Sequence, residues 1–118
     1  MVRILPGERT QYIDFYLDSV WLEKNLSPNS LVAYRKDLSD TETWLETKSK
    51  TLLTASSVDL HRYMAVIFDK GFSASTAARW LSAIRGFYKY AVLQKLLDKD
   101  PTDSLRHPKK SRNLPKSL

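Results

Sequence analysis

The chain has 118 residues, with 19 Lys and Arg against 13 Asp and Glu, a formal net charge of +6 and no cysteine. That is one domain's length, enough to bury roughly two-thirds of the surface the unfolded chain exposes, and the lack of cysteine excludes a disulfide scaffold and any thiolate zinc site. No run reaches the roughly 18 apolar residues of a membrane span, and the start, MVRILPGERTQ, is too polar for a signal peptide, so a soluble, cytoplasmic protein is expected, whose basic balance suits a polyanion such as nucleic acid.

Only three glycines occur, and no proline lies between Pro28 and Pro101, so the middle of the chain lacks the breakers that punctuate hairpins. An all-α fold is expected. The first helix runs from Pro6-Gly7 to about Lys24, with Ile13, Tyr16, Leu17, Val20 and Trp21 as its apolar stripe. The second opens at Ser27-Pro28, a hydroxyl cap followed by proline in the first turn, and runs to about Lys48 with Leu31, Tyr34, Leu38, Thr41 and Leu45 inward. A third helix opens within TASSVD, capped by Thr54 or Ser57, buries Leu60, Met64, Ile67 and Phe68, and stops at Gly71. The fourth is capped by Ser73 or Ser75, carries Ala77, Trp80, Leu81, Ile84, Tyr88 and Ala91 along one side, and extends to about Leu96. Asp100-Pro101 repeats the cap-plus-proline device and predicts a short fifth helix through Leu105. Residues 1–105 form the helical domain on this reading. Residues 106–118, with two prolines after His107 and no apolar periodicity, form a basic linker toward a further domain. No internal repeat of fixed period is present.

Charge is unevenly spread. Residues 70–97 and 106–118 each carry five cations and no acid, so the remaining chain is net −4. Asp37, Asp40, Glu42 and Glu46 cluster on the second helix, which predicts an acidic face beside basic ones.

No HExxH, P-loop or GxSxG occurs, and His61 and His107 stand 46 residues apart, so no catalytic, metal or cofactor site is expected. Two helix starts are richer. Asn29 and Ser30 follow the Ser27 cap, where free N–H groups favour a phosphate, with Tyr34, Arg35 and Lys36 one to two turns on. Ser75 and Thr76 open the fourth helix, and Arg79, Ser82, Arg85 and Lys89 follow at spacings of 3, 3 and 4, one helical face opposite the apolar stripe. Capping and ordinary solvated cations account for either cluster alone; two such helices in one small domain point to DNA, with the fourth helix shaped as a major-groove reader. The three tryptophans fit core or core-edge positions better than stacking platforms. Gly86, inside a helix at a cost of about 1 kcal/mol relative to alanine, implies close approach of another helix.

The strings VWLEKNLSPNSLVAYRKDL, LTASSVDLHRYM, KGFSASTAARWLSAIRGFYKY and DKDPTDSLRHPKKSRNLPKSL, in this order and spacing, closely resemble the N-terminal core-binding domain of XerC/XerD-type tyrosine recombinases, with the XerD branch the nearer. The resemblance covers the chain from about residue 10. It implies a SAM-like bundle of four main helices plus short extras, forming half of a C-shaped clamp on a recombination core site in double-stranded DNA. On these positions it implies major-groove contacts from Asn29, Ser30, Tyr34 and Arg35 of the second helix and from Ser75, Thr76, Arg79, Ser82 and Arg85 of the fourth. Arg35, Lys36, Lys89 and the tail cations Lys109, Lys110 and Arg112 are expected on phosphates, and Arg79 and Arg85 on base edges. The family's nucleophilic tyrosine and its partners belong to a separate catalytic domain, so no catalysis is expected of this fragment, which should be monomeric alone. The parent is expected to work with a XerC-like partner in a four-subunit synapse, controlled by a division-linked DNA translocase, to resolve chromosome dimers. A phage or transposon integrase sharing the fold, and a helical protein-interaction module, are the alternatives.

Overall fold

Three serines set where helices begin. Ser27, Ser56 and Ser73 each hold extended backbone angles, and the hydroxyl of each accepts the amide three residues on, from Ser30, Asp59 and Thr76. This satisfies one of the donors a helix start leaves orphaned. The computed structural model describes residues 6–105, with side chains from residue 11. Its elements are α1 (Pro6–Lys24), α2 (Pro28–Glu46), α3 (Ser57–Asp69) and α4 (Ala74–Leu93), with no strand among the described residues. The expected linker, and with it Lys109, Lys110 and Arg112, lies outside the described residues.

Helix ends follow equally local chemistry. Asn25, Ser49, Lys95 and Gly71 take positive φ, the left-handed turn that lets amides fold back onto the last carbonyls; Lys50 N–H reaches Leu45 C=O at 3.0 Å and Leu96 N–H reaches Ala91 C=O at 2.8 Å. These turns stop α2 and α4 two or three residues before the expected ends. The cap of α3 is Ser56 rather than Thr54 or Ser57, because Asp59 answers it: the Asp59 carboxylate accepts Ser56 N–H at 2.9 Å while Ser56 Oγ accepts Asp59 N–H at 3.3 Å, a reciprocal capping box. The fifth helix does not form. Asp100 Oδ1 accepts both the amide (2.8 Å) and the hydroxyl (2.5 Å) of Thr102, and with only Asp103 N–H and Leu105 N–H bonded back the segment stays a turn, since so short a nucleus does not propagate.

Lys50 Nζ lies 2.6 Å from Asp59 Oδ2, and this bond, followed by the Ser56 backbone N–H, holds the Asp59 carboxyl below its usual range. A depressed folded pKa contributes stability that is present above the unfolded value, near 3.9, and lost as pH falls through the folded one. Asp59→Asn is therefore expected to be less stable than the parent at pH 7, with the gap closing toward pH 2 in urea titrations. An unchanged gap would show that the charge contributes nothing.

α4 is the central element. Ala77, Trp80, Leu81, Ala83, Ile84, Phe87, Tyr88 and Ala91 are all buried, against Ile13, Tyr16, Leu17 and Val20 of α1, Leu38 and Leu45 of α2 and Leu60 and Ile67 of α3. Each large apolar side chain so buried contributes about 1.5–3 kcal/mol. Leu52, in the α2–α3 connection, and Leu105, in the last turn, are fully enclosed and join the same core. At Gly86 the α1 side chain Tyr16 lies against the bare Cα, where a Cβ would run into its hydroxyl. The close approach expected at this glycine is thus made by an aromatic ring.

Two expectations fail on α1 and α2. Trp21 is 43% exposed: one residue past inward-facing Val20, it turns about 100° away onto a surface groove with Pro28, Leu31 and Val32. Trp80 is in the core and Trp44 at its edge, beside Tyr63, as expected. The acidic face of α2 is only half a face, because Asp37 and Glu42 are buried while Asp40 and Glu46 stay exposed.

The buried polar groups of α2 form a seam that ties it to α4, α1 and the α2–α3 connection. The Asp37 carboxylate accepts two hydrogen bonds from Arg79, Thr41 Oγ1 accepts Trp80 Nε1–H at 2.8 Å, and Glu42 accepts the Tyr12 hydroxyl and, at 3.1 Å, the Leu52 amide. Tyr88 donates its hydroxyl to Leu52 C=O. Groups buried this way hold their elements in one register, since each loses heavily if its partner leaves.

Candidate nucleic-acid interface

The first turns of α2 and α4 are built alike. Ser27 Oγ donates to Ser30 Oγ and Ser73 Oγ donates to Thr76 Oγ1, each at 3.1 Å, in addition to the capping bonds. The serine caps are therefore committed within their own turns, while Asn29 and Ser75 stand exposed beside them. Further along α2, Tyr34 is half-buried against the core, Arg35 pairs with Asp14 of α1, and Lys36, 73% exposed, pairs with Asp40 at 3.0 Å. Exposed pairs of this kind contribute at most about 1 kcal/mol, so both cations remain available to a stronger anion.

On α4 the expected single face divides into three. Ser75, Ser82 and Lys89 recur every seventh residue, which nearly repeats the same azimuth, and all three are exposed. Arg79 lies to one side of this line and Arg85 to the other. Arg79 turns to α2, where Nε and one Nη meet the two Asp37 oxygens at 2.8 and 2.9 Å; these bonds raise its pKa further above the usual guanidinium value. Arg85 donates to Leu105 C=O and so ties the last turn to α4. Lys89 has no ion-pair partner among the described residues.

Ser82, Arg85 and Lys89 form one wall of an open groove of about 580 Å³, with Tyr16, Val20 and Lys24 of α1 and Tyr34 of α2 on the other and Asp100 and Asp103 at one end. Lys24 is a cation sequence reasoning missed here. Its signal was available, for Lys24 follows Val20 by four residues, on the inward side of α1. The groove thus gathers Tyr34, Ser82, Arg85 and Lys89. Thr76, Lys36 and Arg79 instead surround a smaller cavity of about 210 Å³ between α2, α3 and α4, and Asn29, Ser30, Arg35 and Ser75 line neither.

The groove brings the cations Lys24, Arg85 and Lys89 together around one open surface. Burial pushes the phenols of Tyr12, Tyr16 and Tyr88 well above their usual pKa, with the Glu42 hydrogen bond adding to the effect at Tyr12, so these tyrosines are poor candidates for an ionised nucleophile. Among the described residues no group of three or more His, Cys, Asp or Glu could hold a metal ion, and no helix is long and apolar enough to cross a membrane.

Comparison with known proteins bears on the same helices. The family described as phage integrase, N-terminal SAM-like domain, matches residues 13–95. Among curated proteins, the tyrosine recombinase XerD of Proteus mirabilis is 43% identical over 106 residues, 90% of this chain and 34% of the relative. XerD of Yersinia pestis is 42% identical over 106 residues, 90% of the chain and 36% of the relative, and XerD of Pseudomonas putida 41% over 114, 97% of the chain and 38% of the relative. The chain spans about a third of the length of these relatives.

Proposed function

The chain belongs to the phage integrase N-terminal SAM-like domain family, and from that membership we propose that it is the DNA-binding half of a XerD-like site-specific recombinase, gripping half of a recombination core site in duplex DNA. The observation that carries this reading is the 43% identity to a tyrosine recombinase named XerD across 90% of the chain, a span that includes α2 and α4. Asn29, Ser30, Tyr34, Ser75, Thr76, Ser82 and Arg85 then face the major groove together with Arg79. Arg35, Lys36, Lys89 and the linker cations Lys109, Lys110 and Arg112 neutralise phosphates and set the register.

The parent enzyme would cut and rejoin strands with a catalytic domain that follows this one, beside a XerC-like partner in a four-subunit synapse, under a division-linked DNA translocase, in the cytoplasm. The fragment itself binds and positions, as a monomer without cofactor. The family's description favours one second reading, a phage or mobile-element integrase using the same domain on an attachment site; the XerD relatives favour the chromosomal one.

If roughly five phosphates are neutralised, log K for a short fluorescent duplex falls against log salt with a slope of about −4.5. Anisotropy titrations at a series of salt concentrations measure it directly. A slope near zero would exclude a backbone-tracking interface.

A further inference from the structure

The Asp37–Arg79 pair has a geometry that a simple surface ion pair does not need. Asp37 comes from α2 and its side chain is only 9% exposed, whereas the Arg79 side chain is 40% exposed. Both carboxylate oxygens are taken by one edge of the guanidinium, Nε and one Nη, at 2.8 and 2.9 Å. A guanidinium carries five N–H donors in a rigid plane. With two of them spent on Asp37, the other three lie on the edges turned away from the carboxylate. Arg79 shares its surroundings with Thr76 and Lys36, around a cavity open to solvent between α2, α3 and α4.

We propose that Asp37 is a positioning residue for sequence recognition: it clamps the Arg79 fork from behind so that the free Nη edge is presented, already oriented, to the O6 and N7 acceptors of one guanine in the major groove. This rests on the DNA-binding reading above. Two parallel donors matching two parallel acceptors distinguish guanine from every other base on that edge. A free arginine side chain loses rotamer entropy when it docks, and a fork already held by its carboxylate does not. The pairing also tempers indiscriminate binding, because a guanidinium whose charge is half-answered by a buried carboxylate attracts phosphate less strongly than an unpaired one.

The test is selection of the full chain on a pool of duplexes with a randomised central segment, followed by sequencing of the retained DNA. For the parent chain one position is expected to hold guanine over other bases by roughly 10-fold or more, the range of a bidentate contact. Asp37→Asn keeps the side chain's size but answers only one donor, and is expected to flatten that one position to about 3-fold or less while the rest of the motif persists. Retention of the random pool should be equal or tighter. Arg79→Gln, whose single amide cannot pair with Asp37 and also reach both guanine acceptors, is expected to lose the guanine preference at the same position. A motif unchanged in Asp37→Asn, in protein shown folded by circular dichroism, overturns the proposal, and so does guanine retained by Arg79→Gln if the first variant fails to fold. No enriched motif for the parent chain overturns the DNA-site reading itself and the proposal with it.

Discussion

Replacing Glu42 with alanine is expected to lower stability by about 2–6 kcal/mol, since two buried donors lose their acceptor and each orphaned group costs about 1–3 kcal/mol. Those donors are the Tyr12 hydroxyl of α1 and the Leu52 amide of the α2–α3 connection, and Glu42 itself is 4% exposed. The loss is large against a total stability of about 5–15 kcal/mol. Its structural reach is wider than two bonds, because Leu52 is held from both sides, by Glu42 through its N–H and by Tyr88 through its C=O. Releasing it loosens the lead into α3 and one end of the seam that sets α2 against α4. Tyr12→Phe, which removes one donor together with its demand for an acceptor, is expected to cost only about 0.5–1.5 kcal/mol. Urea titrations of the two single variants and the double variant give the coupling energy. A Glu42→Ala loss below about 1 kcal/mol would mean that water replaces the carboxylate and the seam does not depend on it.

Gly86→Ala is expected to destabilise by about 1–3 kcal/mol, the usual penalty for overpacking, although the same change in an open helix interior would stabilise by about 1 kcal/mol. The sign is decided by whether Tyr16 can give way. Its hydroxyl occupies the space of the new methyl group, and its ring is 3% exposed and held between Phe87 and Tyr90, with centroids 5.8 and 5.7 Å away. To give way, the ring would have to leave these two aromatic contacts and swing toward the groove it lines. Tyr16→Phe removes the colliding oxygen, so the double variant should recover most of the loss and show the helix-propensity gain. Thermal melts of the three proteins measure this. A Gly86→Ala protein more stable than the parent would show that α1 shifts freely on α4. Such a shift matters for the groove, since Tyr16 and Gly86 both line it beside Arg85 and Lys89.

Much of this architecture is legible along the chain because its causes are local. Ser27-Pro28 and Ser73 mark helix starts through bonds spanning three residues, and the α4 stripe from Ala77 to Ala91 is buried throughout. Where local devices compete, sequence reasoning slips by a few residues, as with Ser56 chosen over its neighbours by Asp59, or with an Asp100 side chain that turns the chain without starting a helix. The error on α2 is of another kind. Asp37 follows Tyr34 by three residues and Glu42 follows Leu38 by four, so helical spacing already placed both on the inward stripe. Their charge argued for solvent, as a carboxylate is almost never fully buried unless paired, and the partners that reverse that expectation are remote: Arg79 lies 42 residues from Asp37, and Tyr12 lies 30 from Glu42.

The same distinction holds for the candidate interface. By itself the sequence determined that the protein is helical, where most of its helices begin, and which polar and basic residues of α2 and α4 point away from the apolar stripes, because caps, stripes and azimuths depend on neighbours within one or two turns. Only the tertiary structure decided which cations are open and which are engaged. It tied Arg35 to Asp14, fastened Arg85 to Leu105, backed Arg79 with Asp37, and added Lys24 to the groove. The physical reason is that a side chain's charge is fixed by its own chemistry, whereas its freedom is fixed by whichever group packing brings within about 3 Å.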